Sequence, residues 1–143
     1  MLKQYLLPAF TTGALMMTLV ACGPSATAPD APSAPGDRSA YSEIPVPDGA
    51  VGEEPTAIAL AAFGSAEPDI GNFAEEAELV EQTDDQALVI LTQTGLADDS
   101  VKGVRYRLEF VPEGDQWQLD WAGRQVRCQS GRGSEEWINE LCS

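Results

Sequence analysis

The stretch VRYRLEFVPEGDQWQLDW, residues 104–121, decides the fold. In its first arm Val104, Tyr106, Leu108 and Phe110 alternate with Arg105, Arg107 and Glu109; in its second, Trp117, Leu119 and Trp121 alternate with Gln116, Gln118 and Asp120. Successive side chains of a strand point to opposite faces, so this alternation predicts two half-buried strands. PEGD, residues 112–115, supplies the turn, and the pair reads as a hairpin with one face on a core.

Working outward, LVILTQT (88–94) is apolar on both faces at its start and reads as a central strand. Ala77–Gln82 precedes it across the turn TDDQ (83–86), a second hairpin. GLADDS (95–100) is a loop, and Gly103 marks a bulge. Further upstream, PTAIALAAFG (55–64) predicts a helix with proline at its first position and Gly64 as its stop. Ile58, Ala61 and Ala62 share its inner face, which Leu60 and Phe63 widen. Downstream, the strand after Trp121 bends at Ala122-Gly123 and continues through Gln125 and Val126 to Cys128. Ser134 then caps a short helix whose inner face is Trp137, Ile138 and Leu141. One helix followed by about four antiparallel strands is an α+β domain. The element order is similar to a cystatin-like or NTF2-like roll, in which a curved sheet wraps a helix, with the C-terminal helix pinned by a disulfide.

The chain has 143 residues, 23 acids against 8 bases, a net charge of −15 and no histidine. Such a surface repels nucleic acid and anionic headgroups, and it excludes histidine-based catalysis. Lys3 precedes an apolar run from Leu6 to Ala21, broken by Pro8 and Gly13, the order of an export signal. The run ends in Leu19-Val20-Ala21-Cys22, which resembles a bacterial lipobox: cleavage would leave a diacylglyceryl-modified Cys22 as the new N-terminus. Gly23 after the cysteine is, in enterobacteria, compatible with outer-membrane sorting. The expected organisation is a signal peptide over 1–21, a lipidated Cys22 opening a Pro/Ala/Ser-rich tether over 22–48, and a globular domain over 49–143. Within the tether only Tyr41, Ile44 and Val46 could dock. Lipidating Cys22 leaves Cys128 with Cys142, and an exported chain permits a disulfide between them. A two-cysteine metal site would lack further soft ligands.

Charge is unevenly distributed. Twelve acids and no base lie between Glu53 and Asp99; six bases (Lys102, Arg105, Arg107, Arg124, Arg127, Arg132) face four acids between Ser100 and Gly133. The five arginines are the candidate site, a cationic patch for an anionic ligand or the acidic edge of a partner protein. The competing reading is that they neutralise the domain's own acids, Glu109 and Asp120 among them. GRG (131–133) is either a backbone nest for an anion or a turn inside the disulfide loop. Asp98, Asp99 and Ser100 lack the full spacing of a calcium loop, and the three tryptophans are assigned to the core. No nucleophile motif, phosphate loop or metal cluster is present, so no cofactor or metal is expected.

The segment TQTGLADDSVKGVRYRLEFV (92–111), with WAGRQVRC (121–128), GRG, Trp137 and Cys142, resembles a small secreted domain of cyanobacterial envelope proteins, a family without an established activity. The resemblance implies compartment and fold unity. The expectation is a lipid-anchored, non-enzymatic binding module of a bacterial envelope, with the membrane and an envelope protein or anionic ligand as partners and no nucleic acid. The alternative is an enzyme in a roll-shaped pocket with Asp98 or Asp99 as base, which requires a deep cavity and a carboxylate of raised pKa. A third possibility is a structural subunit of a larger envelope or photosynthetic-membrane complex.

Overall fold

The structure, a computed structural model, describes residues 36–66 and 72–143; the expected signal peptide, Cys22 and the first part of the tether lie outside the described residues. Helix α1 (Pro55–Phe63) begins at the proline and ends where the Gly64 N–H reaches the Leu60 carbonyl at 2.8 Å. Its buried residues are Pro55, Ile58 and Ala59, with Ala62 and Phe63 partly covered. Ala61 and Leu60, expected on the inner face, are exposed. The stripe that meets the sheet is centred on Ile58, Ala59 and Ala62, which lie within about 100° of one another on the helix wheel.

The sheet has six strands: β1 (Ser42–Glu43), β2 (Val51–Gly52), β3 (Ala74–Gln82), β4 (Ala87–Thr94), β5 (Val101–Glu113) and β6 (Gln116–Cys128). Its order is β1-β6-β5-β4-β3, with β2 also on β6 and every pairing antiparallel. The four long strands are the two expected hairpins; the two additional strands are two-residue pieces that alternation cannot reveal. Between α1 and the sheet lies the core of Val89, Leu91, Leu108, Phe110, Leu119, Ala122, Ile58 and Ala59. Phe63 stacks on Tyr106 with ring centroids 5.1 Å apart.

Three expectations are corrected. Residues 36–48, assigned to the tether, belong to the domain: a single 3-10 turn at Arg38–Ala40 leads into β1, Tyr41 is 5% exposed, and Ile44 and Val46 pack on the core. What draws this segment in is the open edge of β6, whose backbone groups need partners. Ser42 and Glu43 pair with Arg124 and Gly123, and the Ile44 N–H reaches the Ala122 carbonyl at 3.0 Å. The second correction concerns Trp121, which leaves the core face. Glu109 pairs with Trp121 but Phe110 pairs with Leu119, so Asp120 is an extra residue, and one inserted residue transfers everything beyond it to the other face. A similar shift between Val101 and Gly103 makes Lys102 the extra residue, adjoining the expected glycine.

The third correction is at the C-terminus, where the expected helix is an irregular strap. Ile138 exchanges backbone hydrogen bonds of 2.8 and 2.9 Å with Val126 at the edge of β6, which are incompatible with a helical ladder through that residue. Ser134 does accept from the Glu136 N–H at 3.1 Å, but no helix follows, and Leu141 is 78% exposed. The Cys128–Cys142 disulfide ties the strap to the end of β6. β2, β1 and Ile138 together cover this edge of β6, while β3 forms the other edge of the sheet and carries Glu75, Glu76, Glu78 and Glu81, charges that discourage further pairing.

Candidate functional site

The sheet face away from α1 carries the candidate cations. Register places Arg105 beside Gln125, Arg107 beside Gly123, Glu109 beside Trp121 and Gly103 beside Arg127, and directly paired residues share a face. Arg124 pairs instead with Tyr106 and therefore belongs to the helix side. Arg132 lies exposed in the disulfide loop. Of the five predicted arginines, the fold brings Arg105, Arg107 and Arg127 onto one face and separates the other two.

Two straps cross this face, residues 36–44 and residues 134–143, and they meet where the Ser42 hydroxyl donates to the Asn139 carbonyl at 2.5 Å. Gly123 is required where the first strap passes: a Cβ there would lie 2.8 Å from Tyr41 Cβ and 2.3 Å from the Trp121 ring. The Gln125 side-chain amide fastens the same strap, donating to the Ala40 carbonyl at 2.9 Å. Gly103 has a corresponding role beneath the second strap, since a Cβ would lie 3.1 Å from the Trp137 ring.

Under the first strap the cations are neutralised within the protein. Glu109 takes Arg107 Nε on Oε1 at 2.7 Å, and both Nε and Nη2 of Arg38 on Oε2 at 2.8 and 2.5 Å. Burial works to raise the Glu109 pKa, but the hydrogen bonds from Arg38 and Arg107 outweigh it and hold the carboxyl below the ordinary range. Arg107 also donates to the Gly36 carbonyl at 2.6 Å. Arg38 lies 4.9 Å from the centroid of Trp121, whose indole N–H donates to Glu43 at 3.2 Å. The self-neutralising reading thus holds for Arg107 with Glu109. It does not extend to Asp120, which forms no ion pair among the described residues.

Under the second strap the cations have no carboxylate partner among the described residues. Arg105 stacks on Trp137 with its guanidinium carbon 4.3 Å from the ring centroid, and Arg127 approaches the same ring at 5.4 Å. Arg127 Nε donates to the Glu135 carbonyl at 3.1 Å. Arg105 forms no ion pair among the described residues, and its Nε is buried without a hydrogen-bond partner. The hydroxyl of Tyr41 is likewise buried and unpartnered. Burial raises the Tyr41 pKa against the opposing fields of Arg105 and Arg107, and burial lowers that of Arg105.

The exposed Asp98 carboxylate accepts from the backbone N–H groups of Val101 and Ser100, both at 2.7 Å, and from the Ser100 hydroxyl at 2.9 Å. These bonds, that from Val101 foremost, lower its pKa, the reverse of what a general base in a cavity requires. A cavity of about 390 Å³ is lined by Glu43, Ile44, Pro45, Val46, Asp120, Trp121 and Ala122, and neither Asp98 nor Asp99 contributes to it. GRG is a turn within the disulfide loop: the Arg132 N–H reaches the Gln129 carbonyl at 2.9 Å. Gly133, at φ 142°, would place a Cβ 2.7 Å from Cys128 Sγ. Among the described residues no group of three or more His, Cys, Asp or Glu could hold a metal ion.

Sequence reasoning missed Arg38, named Tyr41 only as a residue that could dock, and placed Trp121 and Trp137 on the inner face, whereas Trp121 is buried on the outer one. The available signal was Tyr41 itself, a large aromatic two residues from Glu43 and three from Ile44 in a stretch otherwise of small and polar residues. No protein-family model matches the chain, and no curated protein or solved structure shows significant similarity to it.

Proposed function

We propose that this chain is a lipid-anchored binding module of a bacterial cell envelope, non-enzymatic, with its contact surface on the sheet face that carries Arg105 and Arg127. One observation supports the contact surface above all. In a chain of 23 acids, the guanidinium groups of Arg105 and Arg127 converge on Trp137 and neither is in an ion pair among the described residues. Cations left unmatched in so acidic a protein are suited to an anionic group from outside it. The α1-on-sheet arrangement is in keeping with the roll architecture, whose concave face would hold the helix. The lipobox supports the anchor, and the permitted disulfide is in keeping with an oxidising compartment.

Because the domain begins by residue 36, only thirteen residues separate Cys22 from it. Their span is at most about 45 Å, which would keep the domain close to the membrane that holds the anchor. Gly36, the first described residue, lies on the Arg107 side of the sheet, where its carbonyl accepts from Arg107.

Crosslinking in native membranes with the full-length lipoprotein tests the surface. Arg127→Glu abolishes recovery of the crosslinked partner, while Arg124→Glu, on the helix side, preserves it. Equal recovery from both variants refutes the assignment. Intact-mass measurement tests the anchor: the expected species begins at Cys22 and carries added lipid mass, and a chain retaining Met1 or an unmodified Cys22 refutes it.

A further inference from the structure

We infer that Tyr41 and Arg105 form the inner end of an oxyanion site, which takes a carboxylate or phosphate group between the Tyr41 hydroxyl and the Arg105 Nε–H, with Arg127 and Trp137 at its rim. This rests on the proposed contact surface and names the chemistry it recognises.

Both inner groups are donors, both are buried, and neither has a hydrogen-bond partner among the described residues. They share one sheet face: Tyr41 passes over Gly123, beside Arg107, and Arg105 is one outward position further along β5. The field of Arg105 works against the rise that burial imposes on the Tyr41 pKa. Several of the protein's own acceptors on this face are already engaged by other donors. Glu109 receives Arg107 on one oxygen and Arg38 on the other; Glu43 Oε2 receives the Trp121 indole; the Ala40 carbonyl receives Gln125. Glu135 and Glu136 lie on the second strap but are exposed, and the contact from that strap to Arg127 is a backbone carbonyl, not a carboxylate.

An unpaired buried donor costs stability, and two on the same sheet face can be satisfied by one shared acceptor. A carboxylate or phosphate has the lone pairs to accept both bonds, and the surrounding guanidinium groups favour its charge. Trp137 holds the Arg105 plane by stacking, which orients Nε ahead of binding. The Cys128–Cys142 disulfide holds the strap that carries Trp137.

The test is NMR on the full mature lipoprotein, ¹⁵N-labelled and held in a nonionic detergent, with the Arg105 Nε–H resonance assigned by its loss in Arg105→Lys. Sodium acetate and sodium phosphate are titrated separately at ionic strength fixed with chloride. A saturable shift of that resonance with acetate alone supports a carboxylate ligand, one with phosphate alone supports a phosphate ligand, and either supports the site. Tyr41→Phe should then weaken binding by about tenfold or more, since it removes a hydrogen bond to a charged group. No saturable shift with either anion, a non-saturating drift common to both, or unchanged affinity in Tyr41→Phe overturns the inference. If the resonance stays still while Arg127→Glu still abolishes partner crosslinking, the oxyanion site falls and the contact surface stands.

Discussion

The C-terminal strap depends on one covalent closure, and its removal should have a calculable effect. Cys128 and Cys142 are 14 residues apart, so the bond closes a loop of 15 residues in the unfolded chain. In the chain-entropy model a loop of that size is worth about 3 kcal/mol at 25 °C. The domain spans 108 residues from 36 to 143, for which 1 kcal/mol corresponds to roughly 4–5 °C in Tm. The double substitution Cys128→Ala/Cys142→Ala should therefore lower Tm by about 13 °C. Alanine is chosen because Cys128 is fully buried, and serine would leave a hydroxyl there without a partner. Beside the hydrogen bonds that Ser42, Arg127 and Cys128 donate to strap carbonyls, two noncovalent holds are the pair of hydrogen bonds between Ile138 and Val126 and the seat of Trp137 over Gly103. Both should loosen, so near-ultraviolet circular dichroism from tryptophan should weaken well below Tm. Calorimetry at matched pH measures the first effect. A fall of less than about 4 °C refutes the loop-closure reasoning, because the strap would then be held by its noncovalent contacts.

Three further substitutions probe the strap-covered face. Gly123→Ala puts a Cβ into the Trp121 ring and against Tyr41, and chemical denaturation should show a loss on the order of 1–3 kcal/mol; a neutral result would mean that the first strap does not cross there. Glu109→Gln should be less stable than the parent above pH 4.5 and converge with it in acid. The reason is that a depressed folded pKa gives stability present above the unfolded value and lost as pH falls through the folded one, and a pH-independent difference would refute the ion-pair assignment. Tyr41→Phe should raise the stability of the ligand-free protein by about 1 kcal/mol, since the hydroxyl it removes is buried without a partner. A clear drop in Tm would show that this hydroxyl is satisfied in solution.

What was legible in the sequence, and what was not, follows from how local each feature is. The 104–121 hairpin could be read because alternation is a property of neighbouring residues, and a buried strand imposes it directly. Trp121 was misplaced because the bulge at Asp120 is a relation between two strands: only the partner's register shows that one residue is extra. The same shift decides the arginines. In β5 the outward residues are 105, 107 and 109; beyond the bulge in β6 they are 121, 123, 125 and 127, so Arg127 joins Arg105 while Arg124 does not. The supposed C-terminal helix satisfied helical spacing, but Trp137 and Ile138 serve two different surfaces, the outer sheet face and the edge of β6. A weak local preference loses to backbone groups that need partners.

The tether boundary was misjudged by the same physics in reverse. Averaged composition around Tyr41 describes a spacer, yet two-residue strands draw their stability from the edge they complete and need no apolar run of their own. β6 is long, and its outer edge is open until β1, β2 and Ile138 cover it; the segments carrying β1 and Ile138 are the two straps, which bring Tyr41 and Trp137 to the arginines. The site is therefore a by-product of edge protection. The meander sets the positions of Arg105 and Arg127, and segments recruited to close an edge supply the tyrosine and the tryptophan of the proposed anion site.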